Sequence, residues 1–219
     1  MEKTVRTVPA ILTNDPALLR IMVAKTERFA NYVQFDLMDG QFVPSTSITC
    51  NDIVTLKASL QWEAHLMVMN PENLVDELHK AGAQKIIFHF EATKTPKDVV
   101  NAIHDHGMKA GLAVNPDTTI EEIKPLVKFV DSVLFMAVHP GFYGAEFIPA
   151  VLNKTADFRK QFPEMEIGMD GGINEKTIPA IVKTGVDVIY IGSAIYRKPN
   201  PALAYRRLAK LASKCAAER

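Results

Sequence analysis

Val33-Gln34-Phe35-Asp36-Leu37-Met38-Asp39-Gly40, followed by Gln41-Phe42-Val43-Pro44, is the stretch from which the fold can be worked out. Successive side chains of a strand point to opposite faces, so Val33, Phe35 and Leu37 share one face and Gln34, Asp36 and Met38 the other. A carboxylate and an amide on an otherwise apolar strand are costly unless they have partners or work to do. Asp39-Gly40 then marks a turn, and Pro44 keeps the next segment out of a helix. A strand that ends in a polar group and a turn suits an active site at a strand end.

Outward from this strand, Tyr32 to Met38, the chain alternates strand-length apolar runs with amphipathic segments of helix length. Further strands are expected at 8–12, 63–68, 85–90, 109–114, 131–138, 166–170 and 186–191. Asn14-Asp15-Pro16 opens the first helix, with a capping residue before proline. Other helices are expected at 51–60, 70–81, 95–106, 118–128, 147–162, 174–184 and 201–216. Eight βα units without a Pro/Gly/Ser-rich linker predict a single α/β domain over residues 1–219, closed as a (β/α)8 TIM barrel. An open doubly wound sheet would place a glycine fingerprint after its first strand, and Leu12-Thr13-Asn14-Asp15 is not one.

Composition narrows the function classes. The 219 residues carry 25 basic and 25 acidic side chains, a formal net charge of zero. That argues against a general binder of nucleic acid or membrane surfaces. Cys50 and Cys215 match no metal or redox spacing, which fits a reduced, cytoplasmic setting. No apolar run is long enough to span a membrane, and the N-terminus lacks the pattern of a secretory signal.

In a barrel of this kind the site lies where strands end and βα loops begin. The polar strand ends are Gln34, Asp36 and Met38; His65 and Met67; His89 and Glu91; Met136 and His139; Asp170; and Gly192-Ser193. Taken singly, a strand histidine such as His89 is a hydrogen-bonded structural residue, an Asp before Gly forms a turn, and a methionine fills the core. Their shared place at one end of a barrel is the stronger observation. Gly141 and Gly144, Gly171-Gly172 and Gly192-Ser193 follow the last three strands. Glycine lets backbone N–H groups approach an anion, so these loops suggest a phosphate cradle, against the plain alternative of tight turns.

Several ordered motifs resemble the ribulose-phosphate 3-epimerase family along essentially the whole chain. They are Pro9-Ala10-Ile11-Leu12, Phe35-Asp36-Leu37-Met38-Asp39-Gly40, His65-Leu66-Met67-Val68, Phe88-His89-Phe90-Glu91-Ala92, Gly111 to Pro116, Pro140-Gly141-Phe142, Asp170-Gly171-Gly172-Ile173 and Gly192 to Tyr196. The resemblance implies a TIM barrel that inverts C3 of a ketopentose 5-phosphate. It implies Asp36 and Asp170 as the base and acid on opposite sides of the sugar. It implies a divalent metal ion (Zn, Fe, Mn, Co or Mg) held at Gln34, Asp36, His65 and Asp170. It further implies a sugar phosphate bound by Met38, His65, Met67, Met136, Gly141, Gly144, Gly171, Gly172, Gly192 and Ser193, and a homo-oligomer.

The chain departs from the family at the site. Gln34 replaces a histidine ligand, Ala10 a serine, His139 an asparagine, Tyr143 a glycine and Ala145 a glutamine. A neutral amide oxygen is a poorer zinc ligand than imidazole and suits harder ions, so weak or absent zinc is expected. His139 is a further candidate ligand. Ala10 and Tyr143 suggest another ketose phosphate, such as a hexulose 6-phosphate, and a phosphosugar-binding protein without turnover is a third reading. An aldolase or decarboxylase of the hexulose-6-phosphate synthase kind would carry Asp-x-Lys-x-x-Asp, and Asp36 to Asp39 contains no lysine.

Overall fold

Parallel pairing of eight strands into a closed barrel sets the architecture of the computed structural model, which describes residues 4–56, 59–141 and 144–218. The strands are β1 (Arg6–Ile11), β2 (Tyr32–Met38), β3 (Gln61–Met67), β4 (Lys85–His89), β5 (Lys109–Val114), β6 (Ser132–Met136), β7 (Glu166–Asp170) and β8 (Val188–Ile191). Each pairs with the next, and β8 pairs with β1. The helices are α1 (Pro16–Thr26), α2 (Cys50–Val54), α3 (Val75–Lys80), α4 (Pro96–Asp105), α5 (Ile120–Val127), α6 (Ala150–Gln161), α7 (Ile178–Lys183), α8 (Ser193–Tyr196) and α9 (Pro201–Ala217). Among the described residues no helix is long and apolar enough to cross a membrane.

Period-two patterning sorts the strands into two faces. Val33, Phe35 and Leu37 pack outward into the large core between sheet and helices, together with Leu66, Phe88 and Ile189. The opposite face fills the barrel with Val8, Ala10, Ile87, Ala113, Leu134, Met136, Val188 and Tyr190. Helix starts follow capping chemistry. The Asp15 carboxylate accepts from Ala17 N at 2.8 Å before Pro16, and Thr119 with Glu122 forms a reciprocal cap on α5.

Element limits differ from expectation where tertiary geometry intervenes. Residues 70–81 do not form one helix: Asn70 takes a left-handed φ of 51°, Pro71–Leu74 is a 3-10 turn, and α3 starts only at Val75. The helix expected over 51–60 closes at Val54, and Lys57 and Ala58 lie outside the described residues.

The N-terminal floor of the barrel is polar. Lys85 Nζ lies 3.0 Å from Glu166 Oε1 and 3.8 Å from Glu63 Oε2. The Tyr32 hydroxyl donates to Glu63 Oε2 at 2.9 Å, and Arg6 pairs with Glu166 at 2.7 Å. With that end filled by ion pairs and the middle by apolar side chains, open space remains at the C-terminal mouth.

Candidate active site

β2 brings Gln34 and Asp36 to the barrel interior, and β3 sets His65 beside Asp36 in register. β7 brings Asp170 beside Met136 of β6 and Tyr190 of β8. Closure of the sheet makes these distant segments meet. Gln34 Nε2 donates to Asp36 Oδ1 and to Asp170 Oδ2, both at 2.9 Å. His65 Nδ1 lies 3.0 Å from Asp36 Oδ1 and 3.8 Å from Asp170 Oδ2. The two carboxylates therefore converge on one amide nitrogen rather than facing each other across an empty barrel.

Electrostatics follow from this crowding. Burial, and then the charge of Asp36, push the Asp170 carboxyl up to about 7, against the pull of His65. Burial alone would lower the His65 ring, but its hydrogen bond and charge interaction with Asp36, with Asp170 behind, carry it above the usual histidine range. His65 Nε2 lies 3.0 Å from His89 Nε2, and burial pushes His89 down to about 4.

Asp36, His65 and Asp170 each offer a ligand atom within 4.8 Å of the others, which makes a site able to hold a metal ion. Gln34 fits such an ion less simply. Its nitrogen occupies the hydrogen bonds to two of those atoms, while its Oε1 is buried without a partner. Turning the amide over would offer that oxygen in place of the nitrogen. His139 does not join the set: its side chain is 65% exposed and its Nδ1 lies 3.8 Å from Asp117 Oδ2. Strand β6 ends at Met136, which leaves His139 on the rim.

A cleft lies over these groups, its empty space about 590 Å³ when the open mouth is counted. Of the residues expected at the site, Asp36, Met38, His65, Met67, Met136, Gly141, Gly144, Asp170, Gly171, Gly172, Gly192 and Ser193 line it. Gln34 lies beneath, fully buried. Ala10 and Ala145 also line the cleft, whereas Tyr143 lies outside the described residues. Sequence reasoning missed Leu12, Val138 and Tyr190 as lining residues. The signal for Tyr190 was its parity, two positions after inward-facing Val188. Asp39 serves the turn, accepting from Gln41 N, Phe42 N and Met69 N.

The glycines of the β7 loop have a steric reason of their own. Gly171 has φ +103°, and a Cβ there would sit 2.6 Å from Val138 Cγ2. Gly144 lies against the Arg197 guanidinium, whose Nη1 would be 3.1 Å from an added Cβ.

A closed barrel with paired carboxylates and a glycine-rich rim at its C-terminal mouth defines a (β/α)8-barrel protein with a small-molecule site. Comparison with known proteins names the family. The chain belongs to the ribulose-phosphate 3-epimerase family, whose model matches residues 6–196. It is 37% identical over 210 residues to the ribulose-phosphate 3-epimerase of Mycobacterium tuberculosis, covering 93% of this chain and 91% of that one. It is 35% identical over 201 residues to the enzyme of the same name from Schizosaccharomyces pombe, covering 88% and 87%. The chain is accordingly an isomerase, an epimerase acting on carbohydrates. In fold it is similar to 3-hexulose-6-phosphate synthase from Salmonella typhimurium, with a TM-score of 0.75 at 16% identity over 96% of this chain and all of that one.

Proposed function

We propose that this protein is a sugar-phosphate 3-epimerase that inverts C3 of a ketose phosphate of the ribulose 5-phosphate/xylulose 5-phosphate type. The observation that carries the reading is the meeting of Asp36 and Asp170 on one amide nitrogen beneath the cleft. One carboxylate takes the proton from C3, the electron pair moves toward the C2 carbonyl, and an enediolate forms. The other carboxyl returns a proton to the opposite face of C3, and the roles exchange in the reverse direction. A group that alternates between giving and taking a proton needs both forms near neutral pH, and Asp170 at about 7 meets that need.

His65, carried above the usual histidine range, favours negative charge nearby. A divalent ion held by Asp36, His65 and Asp170 would add Lewis-acid stabilisation of charge on the sugar oxygens. Met38, Met67 and Met136 supply apolar walls, and the small Ala10 and Ala145 leave room beside them. Gly144, Gly171, Gly172, Gly192 and Ser193 would hold the phosphate, and Arg197 places positive charge against Gly144. The room left by Ala10 favours a second reading, turnover of a longer ketose phosphate.

Proton exchange at C3 in deuterated water, over a panel of ketose phosphates with and without chelator, tests the proposal. Deuterium at C3 of at least one sugar is expected, and binding without exchange for every sugar would overturn it. The metal question has its own test. Protein purified without added metal is expected to hold well under one equivalent of zinc, because Gln34 offers only an amide. Gln34→His should bring zinc toward one equivalent per chain. A full equivalent in the parent would refute this account of Gln34.

A further inference from the structure

Behind His65 lies a second line of polar groups that the proton transfers do not use. His65 and His89 have fully buried side chains, and their Nε2 atoms are 3.0 Å apart. At that distance one nitrogen must carry the hydrogen and the other the lone pair. On the far side of the His89 ring, Nδ1 lies 3.4 Å from Glu91 Oε2. The Asn115 side chain also interacts with this ring. His89 Nδ1, Glu91 Oε2 and Asn115 Oδ1 are buried, and none of the three meets hydrogen-bond geometry with any partner, each other included. A carboxylate and an amide oxygen are acceptors, so the hydrogen belongs on His89 Nδ1. A neutral imidazole has one hydrogen, so placing it on Nδ1 leaves Nε2 of His89 as an acceptor. His65 Nε2 must then be the donor.

The acceptors are themselves held in place. Glu91 Oε1 takes the backbone N–H of Asn115 at 2.9 Å and the Thr118 hydroxyl. Lys154 Nζ binds the carbonyls of Asn115, Pro116 and Thr118 at 2.8–2.9 Å, tying the loop after β5 to α6.

We infer that Glu91 and Asn115, acting through His89, are positioning residues that make His65 point its Nε2–H away from the aspartates. Nδ1 is then the one nitrogen that His65 offers to Asp36 and Asp170, as a lone pair toward a cation or as an N–H toward a carboxylate. Outer hydrogen-bond partners of this kind orient ligand histidines and raise their basicity. The value to catalysis rests on the epimerase reading, whereas the direction of the hydrogen bonds does not.

The test is nitrogen NMR of the full-length, 15N-labelled protein at neutral pH, reading the tautomer of His89 from couplings to its ring protons. The expected result is a hydrogen on Nδ1 of His89, with a coupling across the bond from His65 Nε2–H to His89 Nε2. A hydrogen on His89 Nε2 in the parent would overturn the inference, and needs no variant to be seen. Glu91→Leu should mix the His89 tautomers and weaken cobalt binding to chelator-stripped protein about 10–100-fold. Glu91→Gln, which keeps an acceptor oxygen, should restore both. A folded Glu91→Leu protein with an unchanged tautomer and unchanged cobalt affinity would also overturn it. If the tautomers are as stated but the parent shows no C3 exchange, the inference stands and the epimerase reading falls.

Discussion

The floor and the mouth of this barrel each hold two acidic side chains close together, and treat them in opposite ways. At the floor, Glu63 and Glu166 flank the amine of Lys85, and Arg6 supports Glu166 from outside. Burial would raise the Glu166 carboxyl, but the charges of Lys85 and Arg6 hold it below its usual value. At the mouth, Asp36 and Asp170 share Gln34 instead of a lysine. An amide can donate hydrogen bonds but brings no charge, so the repulsion between the carboxylates is only partly offset by His65. Burial, and after it this repulsion, push Asp170 up to about 7. The same fold stores ion-pair stability at one end and an electrostatic conflict at the other. Conflicts of that kind mark reactive sites.

The sharpest way to break the comparison is to remove one mouth carboxylate. Asp36→Asn or Asp170→Asn should lower C3 proton exchange about 10²–10⁴-fold while circular dichroism stays that of the parent. Exchange within tenfold of the parent would mean that the mouth is not the reactive end. At the floor the loss should appear in stability. Lys85→Met should cost about 3 kcal/mol in urea unfolding, the low end for breaking a buried pair, because Glu166 is 36% exposed and keeps Arg6. A cost under about 1 kcal/mol would show that the pair contributes like a surface bridge.

The smallest effect concerns Asp170 as a liability. An acid whose pKa is raised in the native state binds its proton more tightly there than in the unfolded chain. Its contribution to stability is full below the usual aspartate pKa and is lost as pH rises toward about 7. Asparagine has no such dependence. In chelator-treated protein, Asp170→Asn should therefore gain on the parent between pH 4 and 7, by about 1 kcal/mol or more. Unfolding midpoints at several pH values measure this. Parallel profiles would remove the conflict from the mouth.

Much of this was legible before folding was considered. Tyr32–Met38, Lys109–Val114 and Glu166–Asp170 begin and end where their pattern places them, because turn residues bracket each apolar run. Helix α8 was not legible, since Ser193–Tyr196 is barely one turn and shows no 3.6-residue period. Asp36, His65 and Asp170 could be found as polar groups at strand ends. The partnership of His65 with His89 could not, because a strand histidine has the same local pattern whether it faces a loop or another ring.

By itself the sequence determined the βα rhythm, the identity of the family and the chemical types available at the mouth, since all of these reside in local order and residue identity. Only the tertiary structure decided that the Gln34 amide nitrogen sits between two carboxylates, one of them 136 residues away. It likewise set His139 beside Asp117 on the rim and joined His65 to His89 and Glu91 in one line. The physical reason is closure. Which side chains converge on the axis depends on the register of every strand pair around the barrel, and a convergence summed over eight pairings is written in no single stretch of chain.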